Sequence, residues 1–438
     1  MFNTLSKDFN VNRQRKRQPL NIFCLLNKKH SFASEIQTMI NPSAHGWIDK
    51  FFAEQKHLQL PVVGYPLEFY KNTRATGFIY GHVVSFDTPM PIDTKGWISE
   101  EYSKVALLNT LYGVYGLVSH ESNSKDFITR AIAFYKEMHP KGFTLLDKML
   151  PESLPSHNLE KIIAERVQTN EDIISKNFSH ILTNALLFMD VLAFQQYLMN
   201  NAIPENYLKK LEETIVSIIS LALKTKLKKS QYDDLLIKLF EASVRYTKFS
   251  KVNVQDLEAL ELHFFTQQLE KLYLIDMAGM ALWNDMEMES NEAYFLYELA
   301  KTMNVPDNFV TESIVSTDNF INKYKKQIPY FNYSNPVKHF YDQATQNVKL
   351  LITRNKSRLA KELANNGDLM LLLTHSTHRS LDAKEKKKVK KQLLEICKTI
   401  PSLTIFLLPG GTLLLPILIK FIPQLLPSTF NENLESEE

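Results

Sequence analysis

Hydrophobic residues recur every three or four positions through most of the chain between Glu100 and Lys398. This spacing places them on one face of an α-helix, so it predicts a body built of amphipathic helices. The clearest example follows Pro204, where the apolar positions are Leu208, Leu211, Ile215, Ile218, Ile219 and Ala222. Further helices are predicted over residues 170–198, 257–283, 291–303, 307–326 and 335–364. The predicted fold class is therefore all-α, and no repeat of fixed period is present.

The first hundred residues follow a different pattern. Residues 1–38 do not share the helical periodicity, and we interpret them as a disordered extension or a mis-assigned start preceding Met39. A short amphipathic helix is predicted from Asn41 to Phe52, with Asn41 as its cap and Pro42 at its first position. Frequent prolines and glycines between residues 61 and 96 predict loops and short extended pieces.

The longest apolar run lies between Leu403 and Leu426, and its only charged residue is Lys420. About 20 apolar residues cross a hydrocarbon core of roughly 30 Å, so the run predicts a membrane segment over residues 401–430. Prolines spaced by seven fall on one helix face, and each removes a backbone donor. A proline-kinked span is predicted. The alternatives are a broken helix that exposes carbonyls to an ion, a helix in the membrane interface, and a buried soluble hairpin. The kink or ion path would be formed by Pro401, Pro409, Gly410, Gly411, Thr412, Pro416, Lys420, Pro423 and Pro427.

A lysine-rich helix is predicted immediately before this segment. Asp382 and Glu385 form an Asp-x-x-Glu pair that is typical of a helix start. The lysines that follow are Lys384, Lys386, Lys387, Lys388, Lys390 and Lys391. They predict a surface for anionic lipid headgroups or ribosomal RNA, with a solvated helix face as the alternative.

A second basic cluster consists of Lys224, Lys226, Lys228 and Lys229. If the fold brings it beside the lysine-rich helix, the two would form one surface for anions. The alternative is a cluster that only ends a helix, where cations suit the helix dipole.

Composition and motifs argue against several classes of protein. The net charge of +3 is too small to imply nucleic acid by itself, and DNA is not a predicted partner. The two cysteines, Cys24 and Cys397, are far apart, which suits a reducing compartment and gives no metal-binding spacing. Phosphate-binding glycine loops, zinc-protease motifs and nucleophile elbows are missing from the sequence. His375 and His378 are predicted to lie in a surface loop. We therefore predict no enzyme, no catalytic residue and no cofactor.

The C-terminal motifs resemble a known family. They are Leu381-Asp-Ala-Lys-Glu385, Leu393-Leu-Glu-Ile-Cys397, the prolines listed above, Leu414-Leu-Pro416, and Leu426-Pro-Ser-Thr-Phe430. Together they resemble the LETM-like domain of mitochondrial inner-membrane proteins. That family is associated with proton-coupled cation exchange, mitochondrial ribosome binding and membrane-protein insertion. The chain is most similar to bacterial LETM-related, biofilm-associated proteins.

Two departures from the family pattern change what the resemblance implies. Thr412 stands where mitochondrial members carry an acidic residue, and a hydroxyl cannot change charge as an embedded carboxylate does. The family's large domain after the Pro-Ser-Thr-Phe motif is missing from the sequence. In the family, that domain carries the resemblance to ribosome-binding proteins. Both cation exchange and ribosome binding are weakened by these departures.

Residues 274–300 resemble the tellurite-resistance TerB-like helical fold, through an apolar helix, an acidic turn and a second helix. In that turn Asp285, Glu287 and Glu289 would supply oxygen ligands for a divalent cation. The alternative is a solvated turn whose carboxylates favour the start of the next helix.

Together these features predict a division of the 438 residues. The predicted parts are 1–38, 39–99 with a short helix and loops, a helical domain over 100–250, a TerB-like region over 251–330, a helical stalk over 331–400, the membrane segment over 401–430, and an acidic tail over 431–438. Lysines beside a span stay on the cytoplasmic side, which places the body in the cytoplasm at a bacterial inner membrane.

Three functions follow from this division. The first is a non-enzymatic, membrane-anchored LETM-like protein that binds envelope partners or the ribosome. The second is a component of cation/proton exchange, which would need oligomers because one kinked segment cannot enclose a pore. The third is a soluble helical protein with a buried C-terminal hairpin.

Overall fold

A computed structural model describes residues 40–55, 65–138, 154–177, 184–226, 256–283, 288–328, 345–346, 348–379, 381–400, 403 and 418–419. No strand occurs in these ranges, which confirms the predicted all-helical class. The helices are α1 (Trp47–Gln55), α2 (Pro66–Ala75), α3 (Ser99–Ser119), α4 (Ser124–Met138), α5 (Pro155–Asn177), α6 (Phe188–Asn200), α7 (Tyr207–Thr225), α8 (Gln268–Leu282), α9 (Ser290–Thr302), α10 (Asp307–Tyr324), α11 (Lys356–Ala364), α12 (Gly367–His378) and α13 (Ala383–Thr399).

The first helix starts later than predicted. Asn41 accepts a hydrogen bond from the Ser43 backbone N–H at 3.1 Å and so caps a turn, while α1 begins at Trp47. The anion at the start of α1 comes from α5, because Glu160 accepts from the backbone N–H groups of Gly46 and Ile48 at 3.1 and 3.0 Å. A carboxylate is favourable at a helix N-terminus, and here it is supplied from a distant part of the sequence.

Helix α2 lies where loops were predicted, so that prediction was wrong for residues 66–75, while residues 76–96 are turns and irregular backbone as predicted. Pro66 occupies the first turn, where its missing N–H is harmless. Gly77 follows the helix with φ +81°, in the left-handed region that favours glycine. A Cβ at this position would overlap the His82 carbonyl oxygen and lie 2.8 Å from the Phe320 ring. The proline and the glycine therefore mark the two ends of a helix.

Other helix bounds also differ from the predictions. The helix predicted over 170–198 appears as the end of α5 and as α6, with residues 178–183 outside the described ranges. The helix predicted over 257–283 begins only at Gln268, after a 3-10 turn, Leu262–Phe264. The Gln267 backbone N–H donates to Glu270 at 2.9 Å, which fixes that start. Helices α7, α9 and α10 confirm the predictions within about two residues at most ends.

A single hydrophobic core joins α1 to α10. It contains residues from Ile40 to Ile328 and so includes positions on both sides of the predicted boundaries at residues 100 and 251. Helix α3 packs against α2, α4, α5 and α6, while α8 packs against α2, α7, α9 and α10. Almost every residue of α8 is buried, as is typical of a helix that is apolar on all sides. We call this part the body.

Two buried carboxylates connect helices of the body through hydrogen bonds and ion pairs. Asp190 on α6 accepts from Arg166 on α5 at 2.6 and 2.7 Å, and also from the Tyr135 hydroxyl at 3.1 Å. Both the acid and the guanidinium are nearly inaccessible to solvent. A buried charge must be paired and hydrogen-bonded to be tolerated, so this group fixes how α4, α5 and α6 meet.

The second buried carboxylate is Asp276 on α8. It accepts hydrogen bonds from the Tyr70 hydroxyl at 2.7 Å and from the Ser313 hydroxyl, and it pairs with Arg74 at 3.5 Å. Burial raises the pKa of Asp276 above its ordinary value, against the opposing effect of Arg74. Every partner is internal, so this group ties α2 and α10 to α8.

Residues 348–400 form a second hydrophobic core. Most of its members lie on a helical stretch at 348–354 and on α11, α12 and α13, and Ile98 at the start of α3 joins them. These helices pack on one another, so the described part of the predicted stalk is a bundle. The helix predicted over 335–364 is interrupted at Asn355, whose side-chain amide donates to the Leu351 carbonyl at 2.7 Å. We call residues 348–400 the C-terminal unit.

Most of the predicted membrane segment lies outside the described residues. Within the described ranges no helix has both the length and the apolar character needed to cross a bilayer. Leu403 and Leu418 are described, and both are fully buried in the core of the C-terminal unit. These two positions therefore pack against protein, and the membrane span stays a prediction.

Candidate anion-binding surface

The start of α13 confirms the predicted capping pair. The Glu385 backbone N–H donates to the Asp382 carboxylate at 2.8 Å, and the Asp382 N–H donates to Glu385 at 2.9 Å. Arg379 adds a two-pronged contact, with its two terminal nitrogens 2.8 and 2.6 Å from the Glu385 oxygens. These bonds from Arg379 and the backbone lower the pKa of Glu385 to about 2. The first turn of the helix is therefore fixed by three side chains.

Helix α13 has one buried face. Val389, Leu393, Ile396 and Cys397 are buried in the core of the C-terminal unit. Their spacing of four, three and one places them on a single side of the helix. Burial raises the pKa of the Cys397 thiol to about 12, so this free cysteine stays protonated and unreactive at neutral pH.

All six lysines predicted to bind anions are exposed. Lys384, Lys387, Lys388 and Lys391 follow the spacing i, i+3, i+4, i+7, which gives one continuous line on the side opposite the buried face. We call these four residues the lysine stripe. The remaining two, Lys386 and Lys390, both lie to one side of the stripe, towards the buried face of the helix.

The charges of the stripe are barely neutralised by the protein. Lys388 pairs with Asp368 on α12 at 2.7 Å, in a contact where both side chains are more than half exposed. Within the described part of the chain, Lys384, Lys387 and Lys391 form no ion pair. Exposed pairs of this kind contribute about 0–1 kcal/mol, so Lys388 is easily released to another anion.

Positive charge is concentrated in the C-terminal unit. Residues 348–400 contain thirteen lysines and arginines against five acidic residues, an excess of eight. The whole chain has an excess of only three, so the remaining residues carry a net negative charge of five. On α11, Lys356, Arg358 and Lys361 are also exposed. Sequence reasoning missed these three, although the same charge count would have found them.

The second basic cluster is only partly described, and a joint surface with the lysine-rich helix stays a prediction. Lys224 lies in the last turn of α7, where a cation suits the helix dipole. Lys226 is 7% exposed and therefore buried. Lys228 and Lys229 lie outside the described residues. Lys224 therefore fits the alternative, a cation in the last turn of a helix.

The predicted cation ligands are only partly described. Glu289 is the residue preceding α9, and its backbone N–H donates to Glu292 at 2.9 Å. Asp285 and Glu287 lie outside the described ranges. Where the structure describes the chain, no three His, Cys, Asp or Glu side chains come close enough to hold a metal ion. The observed role of Glu289 is to begin a helix.

Two further predictions concern residues near α13. His375 and His378 lie at the end of α12, so the predicted surface loop was wrong. The helix begins at Gly367 after Asn366, whose side chain accepts from the Leu369 N–H at 3.2 Å and caps it. The residues of the predicted kink and ion path lie outside the described residues. They are Pro401, Pro409, Gly410, Gly411, Thr412, Pro416, Lys420, Pro423 and Pro427.

Comparison with known proteins identifies one part of the chain. Residues 381–438 match a family model described as LETM1-like, RBD, where RBD abbreviates ribosome-binding domain. No curated protein and no solved structure matches the chain. The match begins at Leu381, one residue before the cap of α13, and so includes the whole lysine stripe. The C-terminal segment of this chain is therefore similar to the LETM1-like family, as its motifs predicted.

Proposed function

We propose that the protein is a non-enzymatic ribosome-docking protein whose C-terminal unit makes the contact. The observation that carries this proposal is the lysine stripe, which is exposed, rigidly mounted and located inside the matched segment. The ribosome is a polyanion, and lysines that replace its counterions contribute a large part of such binding. The body would then serve as the part that is brought to the ribosome.

The match also changes one expectation from the sequence. The Pro-Ser-Thr-Phe motif occupies residues 427–430. From the motifs alone, the ribosome-binding resemblance is expected in a domain that follows it. The matched ribosome-binding model instead covers residues 381–438, which include that motif and α13. The match therefore supports ribosome docking by the segment that contains α13 and this motif.

Tethering to a bacterial inner membrane is the second part of the proposal. It is supported by the apolar run from Leu403 to Leu426, which carries one charge, and by the lysines that precede it. Lipid would then be the second partner of the protein. No observation in the described ranges favours cation exchange, which we do not propose.

Co-sedimentation with purified ribosomes tests the docking proposal. The stripe variant replaces Lys384, Lys387, Lys388 and Lys391 with glutamine, which keeps a similar helix propensity. The control variant replaces Lys125, Lys136, Lys323 and Lys326 with glutamine, since these four are exposed on the body. Both variants lose four charges.

We expect the intact protein and the control variant to pellet with ribosomes at low salt. The stripe variant should bind at least tenfold more weakly, because four phosphate contacts are lost. If the intact protein stays in the supernatant at low salt, the docking proposal is wrong.

A further inference from the structure

We propose that the lysine stripe binds the phosphate backbone of double-helical RNA and reads no bases. This inference rests on the proposed ribosome docking and names the component of the ribosome that is contacted. It is drawn from four properties of the C-terminal unit: the lack of Phe, Tyr and Trp, the engagement of two of its three arginines, the shape of its charged surface, and the burial of the apolar face of α13.

Phe, Tyr and Trp are absent from the C-terminal unit, and its two histidines, His375 and His378, lie on α12 and not on the lysine-bearing helix. The sequence contains no Phe, Tyr or Trp between Tyr341 and Phe406, although the whole chain contains 27 Phe, 18 Tyr and 3 Trp. Proteins that bind single-stranded RNA splay out its bases and stack them on aromatic rings. Single-stranded RNA is therefore a poor partner for this surface.

Base reading favours arginine, and two of the three arginines of the C-terminal unit are engaged elsewhere, while the third, Arg358, is exposed on α11. Arginine forks recognise base edges through paired hydrogen bonds, whereas lysine acts as a single point charge. Of the three arginines in the unit, Arg354 donates two hydrogen bonds to the Glu101 carboxylate, at 2.8 and 2.9 Å. Arg379 donates to the Glu385 carboxylate. The stripe itself contains lysines alone. Contacts to phosphates position a protein without carrying sequence information, which is the behaviour expected here.

The shape of the charged surface favours a groove over a flat membrane. At about 100° per residue, the six lysines of α13 cover an arc of about 200° around the helix axis. A flat surface faces less than half of the helix circumference, whereas double-helical RNA presents two rows of phosphates, one on each edge of its wide minor groove. Lys384 and Lys391 are separated by about 10 Å along the axis, which suits a row of phosphates better than one headgroup.

The apolar face of α13 is already occupied. A helix that lies in a membrane interface inserts its apolar face among the acyl chains. In α13 that face consists of Val389, Leu393, Ile396 and Cys397, all buried in the core of the C-terminal unit. Lipid insertion would require this core to open, whereas RNA binding uses only the side that is already exposed.

Fluorescence anisotropy with the full-length protein tests the inference. The probes are two RNA hairpins of equal length and unrelated sequence, one single strand of that length, and vesicles of phosphatidylglycerol and phosphatidylcholine in equal parts. The proteins are the intact chain, the stripe variant in glutamine, the body control, and a stripe variant in arginine. Circular dichroism establishes that the variants are folded.

We expect both hairpins to bind with affinities within about threefold of each other and more tightly than the single strand. Each phosphate contact contributes about 0.9 to the slope of log affinity against log salt. The glutamine variant should therefore lose about 3 to 4 from that slope, while the arginine and body variants keep it. Affinities that differ more than tenfold between the hairpins, or an unchanged slope, would overturn the inference.

The outcomes separate this inference from the docking proposal. If the protein pellets with ribosomes but does not bind purified ribosomal RNA or the hairpins, docking is right and the RNA contact is wrong. If it binds vesicles and no RNA, the inference is also wrong. If the hairpins bind but ribosomes do not pellet the protein, the RNA-binding surface is right and ribosome docking is wrong.

Discussion

Arg354 and Glu101 join the C-terminal unit to the body through two hydrogen bonds of 2.8 and 2.9 Å, although 253 residues separate them in sequence. Glu101 is fully buried and also accepts from the Ile98 N–H at 3.0 Å and the Ser43 hydroxyl at 2.6 Å. Ile98 itself packs in the core of the C-terminal unit. This contact therefore fixes the position of the lysine-bearing bundle relative to the body.

Replacing Arg354 with methionine should lower the free energy of unfolding by about 3 kcal/mol, because it leaves the Glu101 carboxylate buried with fewer donors. The double variant with Glu101→Gln should lose less than the two single variants summed, since both residues act in one contact. Denaturant unfolding measures these values. Arg358→Met on α11 is the control and should change stability by less than about 0.5 kcal/mol, because this side chain is exposed. A loss below about 1 kcal/mol for Arg354→Met would show that the contact is not a strong link.

Leu403→Ala and Leu418→Ala should each destabilise the C-terminal unit by about 2–5 kcal/mol, because both side chains are fully buried in its core. The matched control is Leu371→Ala on α12, where the leucine is 50% exposed and the expected change is small. Denaturant unfolding followed by far-ultraviolet circular dichroism measures the difference. Equal stability for all three variants would mean that Leu403 and Leu418 are not part of this core in solution.

The carboxyl group of Glu385 should titrate near pH 2, because Arg379 and the Asp382 N–H stabilise its charged form. A carboxylate whose pKa is lowered by folding stabilises the folded state above its unfolded value of 4.5, and this stabilisation is lost as the pH falls towards 2. Arg379→Gln should raise the pKa of Glu385 towards its ordinary value. Carbon-detected NMR titration measures both midpoints, and the shift should weaken at high salt because the group is exposed. An unshifted midpoint in the intact protein would contradict the observed cap.

Gly77→Ala should prevent stable folding or cost more than about 3 kcal/mol, because a Cβ would overlap the His82 carbonyl and press on Phe320. Gly46→Ala is the control. Gly46 has φ +85° but nothing within 4 Å of an added Cβ, so only the backbone preference of about 1–2 kcal/mol is lost. Thermal unfolding of the two variants distinguishes the effects. Similar melting temperatures would show that the loop after α2 adapts to the extra methyl group.

Features that depend on nearby residues were predictable from the sequence. The apolar face of α7 is buried at all six predicted positions, and α13 starts at the predicted Asp382–Glu385 pair. Both follow from spacings of three or four residues, which helical geometry fixes. Helix α2 carried local signals as well, with Pro66 at its start and Gly77 after its end. These two signals were outweighed by the many other prolines and glycines between residues 61 and 96, which favoured loops.

Features that depend on distant residues were not predictable. The Asp276 group unites side chains from α2, α8 and α10, and Arg74 lies 202 residues from its partner. The Arg354–Glu101 contact and the cap of α1 by Glu160 are of the same kind. No periodicity relates such positions, because their proximity is set by helix packing. The exposure of the six lysines agrees with the predicted surface helix, whereas the bundle that buries the other face of α13 could not be predicted from the sequence.

Because the C-terminal unit contains no Phe, Tyr or Trp, fluorescence and circular dichroism report different parts of the protein. Every Trp and Tyr lies at or before Tyr341, so no residue of the C-terminal unit contributes to intrinsic fluorescence or to Trp and Tyr absorbance near 280 nm. Far-ultraviolet circular dichroism, in contrast, records the helices of both parts. A change in ellipticity without a change in fluorescence therefore belongs to the C-terminal unit. A single tryptophan introduced at Leu371 would give that unit its own emission and allow its opening to be timed during RNA binding.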